Sequence, residues 1–158
     1  MSPAVVLLAA TLSQASRGMP TSHTTHSMNH YDLDLPAGYA VKDITPPLAD
    51  FELYEISGSR AGARLGLYFG NHPQFPKYEW AGPPRSESKK GRTSQQYPYS
   101  SKERRMEGRI MFDGLSYKTT AHSPYTYAHY FATDVNADEA RIFEEIVRSI
   151  RVARPHLD

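Results

Sequence analysis

Metal-binding side chains are concentrated near the N-terminus of the chain. His23, His26 and His30 lie within eight residues of one another, and Met19 and Met28 lie beside them. Imidazole nitrogen binds zinc, nickel and copper, and thioether sulfur binds copper. The three histidines are therefore a candidate metal site, and a polar linker that happens to be rich in histidine is the alternative interpretation.

Catalytic motifs are scarce. Ser86 and Lys89 have the S-x-x-K spacing of penicillin-binding enzymes, but Lys118-Thr119-Thr120 does not match the K-T-G motif that accompanies it. The chain contains no G-x-S-x-G, no H-E-x-x-H and no phosphate-loop pattern. We therefore expect no cofactor and a non-enzymatic function. A small hydrolase whose site has no recognisable motif is an alternative.

A basic and aromatic segment is the second candidate site. Residues 85–105 contain seven Lys or Arg residues against two Glu residues, a local charge of +5. Such a segment can bind an acidic protein surface, stack on bases, or simply be a solvated loop. The whole chain has a net charge of only +1, so it has no general attraction for nucleic acid, and we expect a protein partner with an acidic surface. The expected partner-binding residues are Tyr78, Trp80, Arg85, Lys89, Lys90, Arg92, Tyr97, Tyr99, Arg104 and Arg105.

The N-terminal residues have the features of an export signal. Residues 4–12 form an apolar run that is too short to span a bilayer as a helix, and Ser13-Gln14-Ala15 has the small-x-small pattern of a cleavage site. The chain also lacks cysteine, which excludes disulfides and thiolate metal sites. We expect a signal peptide over residues 1–15, a periplasmic or secreted location and no membrane span. A buried N-terminal element of a cytoplasmic protein is the alternative.

The remaining chain divides into a leader and one domain. Residues 16–29 show neither a helical nor a strand period, which predicts a flexible leader rich in His and Met. Residues 30–158 are expected to form a single domain. Within it, residues 73–102 also lack a period. A loop of this length is unusual in a compact domain, which favours a functional role for it.

Alternating apolar residues predict the strands of this domain. Residues 58–62 separate two such runs and predict an antiparallel hairpin, and Asp113-Gly114 predicts a second hairpin. In the last run, His129 shares a face with Tyr127 and Phe131, so we expect a half-buried imidazole. The predicted strands cover residues 31–35, 51–57, 64–69, 107–112, 116–121 and 125–133.

One helix follows the strands. Asn136 and Glu139 have the spacing of a capping box, and Ile142, Ile146 and Ile150 form one apolar stripe. We expect Pro155 to end this helix. The predicted fold class is α+β, with an antiparallel sheet of about five to six strands and one C-terminal amphipathic helix packed on a face.

Both ends of the predicted domain resemble one fold group. Residues 35–39, Leu-Pro-Ala-Gly-Tyr, are similar to the Pro-x-Gly-aromatic opening of the small PsbP/Mog1-like proteins. Residues 146–151, Ile-Val-Arg-Ser-Ile-Arg, resemble the C-terminal helix of these proteins. The resemblance implies a sheet-plus-helix scaffold that is used for binding rather than for catalysis.

These observations favour an exported, non-enzymatic protein that binds another protein through residues 73–105. An immunity or inhibitor protein that neutralises an antibacterial toxin in the periplasm is one concrete form of this hypothesis. A periplasmic metal-handling protein that uses His23, His26 and His30 is the alternative from a different class.

Overall fold

The computed structural model describes residues 22–58, 62–75, 78, 81–115 and 125–153. Within these ranges the chain forms ten strands and one helix. The elements are β1 (His23–Ser27), β2 (Tyr31–Pro36), β3 (Tyr39–Asp43), β4 (Glu52–Gly58), β5 (Arg64–Gly70), β6 (Arg85–Lys89), β7 (Arg92–Ser100), β8 (Arg105–Phe112), β9 (Tyr127–Ala132), α1 (Ala137–Ser149) and β10 (Arg151–Val152).

The described strands form two antiparallel sheets. The small sheet has the order β1-β2-β10, and the large sheet has the order β3-β4-β5-β9-β8-β7-β6. The chain passes from the small sheet to the large one at a tight turn between β2 and β3. Gly38 takes a φ of 85° in this turn, a value that favours glycine. The α+β class with a C-terminal helix is confirmed, and the strand number exceeds the five to six predicted.

The hydrophobic core lies on the face of the large sheet that points toward α1, here called the inner face. Leu65, Leu67 and Phe69 of β5 are fully buried on it, as their alternation predicts. β2 packs against the same face, and the ring of Tyr31 stacks on Phe69 with centroids 4.2 Å apart. Ile146 of α1 is also fully buried in this core.

The helix begins as predicted but ends earlier. The Asn136 side chain accepts hydrogen bonds from two backbone N–H groups, and Glu139 Oε2 accepts from the Asn136 N–H at 2.9 Å, so the capping box is confirmed. The helix ends at Ser149 rather than at Pro155. After the C-cap residue Ile150, Arg151 and Val152 pair with β2 as strand β10, which removes them from the helical conformation.

The expectation of a flexible leader is wrong for the residues that the structure describes. β1 pairs with β2 over five positions, from His23 opposite Pro36 to Ser27 opposite Asp32. Met28, which follows β1, is buried in the core. The strand shows no apolar alternation because nearly all of it is exposed on both faces. Residues 1–21, including the predicted signal peptide, lie outside the described ranges.

The expectation of a long loop over residues 73–102 is wrong for residues 85–100. β6 and β7 form an antiparallel hairpin in register from Arg85 opposite Gln96 to Lys89 opposite Arg92. Gly91 takes a φ of 87° in its turn. All of β6 is exposed, so neither face carries the apolar signal on which strand prediction depends.

The two predicted hairpins have different outcomes. β4 and β5 pair as predicted, with Leu53 opposite Tyr68 and Ile56 opposite Leu65. β8 instead lies between β7 and β9 in the large sheet. The strand predicted over residues 116–121 lies outside the described ranges.

Candidate functional site

The face of the large sheet that points away from α1, here called the outer face, carries a row of charged side chains. The alternation of β8 directs Arg105, Glu107 and Arg109 to this face, while Met106 and Ile110 enter the core. An apolar core requires the alternate residues of a half-covered strand to face outward. The charges therefore follow from the same pattern that builds the core.

Strand β9 adds an imidazole and an aromatic ring to this row. His129 lies opposite Arg109, and Phe131 lies opposite Glu107. The prediction that His129 is half-buried is confirmed, since 13% of its side chain is exposed. Phe131 remains 39% exposed although it is a large apolar residue in the middle of a sheet.

Glu107 is a buried carboxylate whose two oxygens are both hydrogen-bonded. Its Oε1 lies 2.8 Å from His129 Nε2. Its Oε2 accepts from Arg105 Nη2 at 3.2 Å and from the Tyr78 hydroxyl. Arg105 Nη2 also donates to the Tyr78 hydroxyl oxygen, which closes the network. Only 3% of Glu107 is exposed, so its partners replace the water that a carboxylate needs.

Burial and hydrogen bonding determine the protonation states of Glu107 and Tyr78 in this network. Burial opposes ionisation of Glu107, but the hydrogen bonds from His129 and Tyr78, with the charge of Arg105, hold its pKa below the ordinary value. Burial and the hydrogen bond to Glu107 raise the pKa of Tyr78 to about 12. Glu107 is therefore an anion and Tyr78 a neutral donor at neutral pH.

Aromatic rings on the outer face support this network. Phe75 stacks on Tyr97 with ring centroids 5.2 Å apart, and Tyr78 meets Tyr97 edge-on at 5.1 Å. Phe75 also meets the His129 ring edge-on at 6.2 Å. The rings attach the segment after β5 to the sheet, and this attachment places the Tyr78 hydroxyl beside Glu107.

Two arginines lie over these rings. The guanidinium carbon of Arg105 is 4.6 Å from the centroid of Tyr78, and that of Arg109 is 5.2 Å from the centroid of Phe75. Arg109 Nε donates to Gln95 Oε1 at 2.8 Å. Stacking of this kind holds a guanidinium in place and leaves the edge of its plane available to an acceptor.

Two grooves meet on this face. An apolar groove of about 290 Å³ is lined by Phe51, Leu53, Tyr68, His72, Gln74, His129 and Phe131. A polar groove of about 520 Å³ is lined by Gln74, Phe75, Tyr78, Arg105, Glu107 and His129. Gln74 and His129 belong to both, so the two grooves are continuous. The Phe131 ring borders the apolar groove and lies over Gly66, where an added Cβ would come within 2.5 Å of the ring.

The Glu107 carboxylate is held within this network. Both oxygens of Glu107 and the Nε2 atom of His129 already have partners. The Glu107 carboxylate therefore holds the Tyr78, Arg105 and His129 side chains in fixed positions on the outer face.

Several of the predicted basic residues have intramolecular partners. Arg92 Nη1 donates to the Ile150 carbonyl at 3.0 Å and thereby binds the C-terminal end of α1. Arg104 Nη2 donates to the Asp134 carbonyl at 2.9 Å. Lys89 pairs with Glu87 at 2.9 Å.

The remaining basic residues of the hairpin lie apart from the aromatic ones. Arg85 and Lys90 are exposed, and Arg85 and Lys89 share a face with Arg92, which is the inner side of the sheet. Tyr97, in contrast, lies on the outer face and is 3% exposed. Arg105, in contrast to the hairpin residues, lies beside Tyr78 on the same face as Tyr97, and the role of these residues in partner binding stays a prediction.

The other predicted aromatic residues differ in their surroundings. Tyr99 donates its hydroxyl to the Val135 carbonyl at 3.0 Å and is half-buried. Tyr78 belongs to the Glu107 network described above. Trp80 lies outside the described residues.

Sequence reasoning missed Glu107, Arg109 and Phe131, and it treated His129 only as a half-buried residue. One signal for them was present. The charged residues Arg105, Glu107 and Arg109 alternate with Met106, Gly108 and Ile110, a pattern that places three charges on one face of a strand.

The predicted metal ligands are not gathered into one site. His23 and His26 are three positions apart on β1, so their side chains point to opposite faces of the small sheet. His30 lies beyond the end of that strand. In the described part of the chain, no group of three or more His, Asp or Glu side chains is placed to hold a metal ion.

Comparisons with known proteins concern only the fold. No family model matches the chain, and no curated protein matches it. Among solved structures, the chain is similar to the solution structure of cyanobacterial PsbP from Synechocystis sp. PCC 6803, with 11% identity and a TM-score of 0.47. The match covers 89% of this chain and 98% of that chain. It carries no information about activity or partners.

Proposed function

We propose that the protein is a non-enzymatic binding protein that engages another protein through the outer face of its large sheet. The observation that carries this proposal is the exposed apolar groove beside the Glu107 network. Phe131 presents an apolar ring to solvent, and the closed network beside it holds Tyr78 and Arg105 in place. A rigid surface with exposed aromatic and arginine side chains loses little entropy on binding and is typical of protein interfaces.

The partner has an acidic surface in this proposal. Within the described ranges, Arg105 and Arg109 are cations of the outer face beside the grooves, and the Glu107 carboxylate between them is buried beneath its own donors. A partner therefore meets positive charge there, which favours acidic groups. An immunity or inhibitor protein that neutralises an exported toxin is a concrete form of this function.

The binding role has a direct test. Phe131→Ser should reduce capture of the partner from an extract of the native host by about tenfold or more, as expected for an interfacial aromatic residue. Leu48→Ser is the matched control, because Leu48 is fully exposed in the turn before β4 and does not line either groove. Quantitative mass spectrometry of the captured proteins is the measurement. Equal recovery with both variants would contradict the proposal.

We also propose that the protein acts outside the cytoplasm. The support is the apolar run over residues 4–12 followed by Ser13-Gln14-Ala15. Within the described ranges, no helix combines the length and apolar character that crossing a bilayer requires. We expect N-terminal sequencing of the protein from its native host to begin after Ala15. A cytoplasmic protein that retains residues 1–15 would contradict this expectation.

A further inference from the structure

Arg109 has unused hydrogen-bonding capacity at a defined position on the outer face. Its Nε donates to Gln95, and its guanidinium lies over the Phe75 ring. Among the described residues, no acceptor bonds either of its Nη nitrogens. A guanidinium that is held by stacking with its outer edge unpaired matches the planar geometry of a carboxylate.

Arg105 extends this positive region along the same strand. Only its Nη2 has acceptors, in Tyr78 and Glu107, and its Nε is buried with no hydrogen-bond partner in the described structure. The charge of Glu107 is balanced by its ion pair with Arg105, and the buried carboxylate is shielded from a partner. Among the described residues beside the polar groove, Arg105, Glu107 and Arg109 together leave an excess positive charge, and Arg109 is the arginine without an ion pair, while the charge of Asp50 acts on Tyr68 at the apolar groove.

The apolar groove lies at a fixed distance from Arg109. Leu53 lies opposite Tyr68, Tyr68 opposite His129, and His129 opposite Arg109, so the four side chains form a row across four neighbouring strands. Adjacent strands are about 4.8 Å apart, so Tyr68 lies about 10 Å from Arg109 across the sheet. An extended chain covers this distance in about three residues.

We propose that the outer face recognises an extended protein segment in which an apolar side chain is followed or preceded, three residues away, by an Asp or Glu. The apolar side chain enters the groove bordered by Phe131, and the carboxylate binds the free edge of Arg109. Arg105, which pairs with Glu107, lies beside the same path. This inference rests on the proposed binding function and specifies the chemistry of the partner.

The probes are acetylated and amidated decapeptides, so that they carry no terminal charge. The first contains one phenylalanine and one glutamate separated by two serines, in a Gly-Ser background. In the second the glutamate is replaced by glutamine, and in the third the phenylalanine is replaced by serine. Titration of the ¹⁵N-labelled protein, followed by NMR, measures weak affinity, locates the contact and confirms that each variant is folded.

We expect the first peptide to bind about tenfold more tightly than either of the others, with shifts concentrated on β8 and β9. Arg109→Gln should remove the preference for glutamate over glutamine and leave the preference for phenylalanine unchanged. Arg85→Gln is the matched control, because Arg85 is exposed on the other side of the sheet, and it should change neither preference.

Four outcomes would overturn the inference. They are the absence of peptide binding, equal binding of the glutamate and glutamine peptides, an unchanged glutamate preference in Arg109→Gln, and tighter binding of an oligothymidylate than of any peptide. The capture experiment with Phe131→Ser does not involve Arg109, so a partner that depends on Phe131 would preserve the proposed function even when this inference fails.

Discussion

Ile146→Ala is expected to destabilise the protein by about 2–5 kcal/mol, the range for truncating a large buried aliphatic side chain. Ile146 is fully buried at the interface between α1 and the large sheet, where it packs in the same core as Phe143 and Leu67. Removing three carbons leaves a cavity there, because β2, against which α1 packs, limits how far the helix can move inward.

Glu145→Ala is the matched control for this substitution. Glu145 is the preceding residue on the same helix, is half-buried, and makes no ion pair within the described ranges. We expect a change below about 0.5 kcal/mol, the usual range for surface positions. Urea unfolding followed by circular dichroism measures both variants. Equal losses of stability would show that α1 packs on the sheet through a different face.

Glu107→Ala is expected to destabilise the protein by about 2–3 kcal/mol at neutral pH. The substitution leaves His129, Tyr78 and Arg105 without their common acceptor. Removing one partner of a buried charged network costs more than the net contribution of the bonds themselves. The value lies below the roughly 3–5 kcal/mol expected for a fully buried pair, because 35% of the Arg105 side chain is exposed and can regain water.

The pH dependence of this effect distinguishes charge from packing. The folded state holds the pKa of Glu107 below its ordinary value, so the stabilising contribution of the carboxylate is present above about pH 4.5. It is lost as the pH falls through the lower pKa of the folded state. Between pH 5.5 and pH 3, wild type should therefore lose more stability than Glu107→Gln.

Glu103→Gln is the control for the acid titration. Glu103 is exposed, and within the described ranges its side chain forms no ion pair, so its variant should follow the wild-type profile. Urea unfolding at pH 5.5, 4.5, 3.5 and 3 gives the free energy of unfolding of each protein. Parallel profiles for wild type and Glu107→Gln would show that the network contributes no charge-dependent stability.

Local patterns predicted the elements that one apolar face defines. The capping box at Asn136 and the hairpin of β4 and β5 involve residues close in sequence, and the alternation of Leu65, Leu67 and Phe69 is visible because one side of β5 faces the core. β1 and β6 gave no such signal. Nearly all of β1 and all of β6 are exposed, so only backbone pairing with a neighbouring strand makes them strands.

The candidate site depends on contacts that no local pattern contains. Glu107 meets His129 across 22 positions and Tyr78 across 29, and these contacts exist because β9 pairs beside β8 and the segment after β5 folds over both. The role of Arg92 was decided in the same way. Its charge made it a candidate for partner binding, but the β7 register places it beside the last carbonyls of α1.

The sequence by itself determined the α+β class, the inner face of the central strands and the residue at which the helix begins. These features depend on apolar alternation and on helix capping, which both involve residues only a few positions apart. The tertiary structure decided which charged side chains form hydrogen bonds within the protein and which remain available to a partner. A guanidinium or carboxylate near the sheet is stable only when it reaches water or a partner, and strand order determines which of the two it finds. Arg109 pairs opposite β9, and its side chain lies on the outer face, where its guanidinium has an unpaired edge. Arg92 pairs opposite β8, and its side chain lies on the inner face, where it holds the C-terminal end of α1.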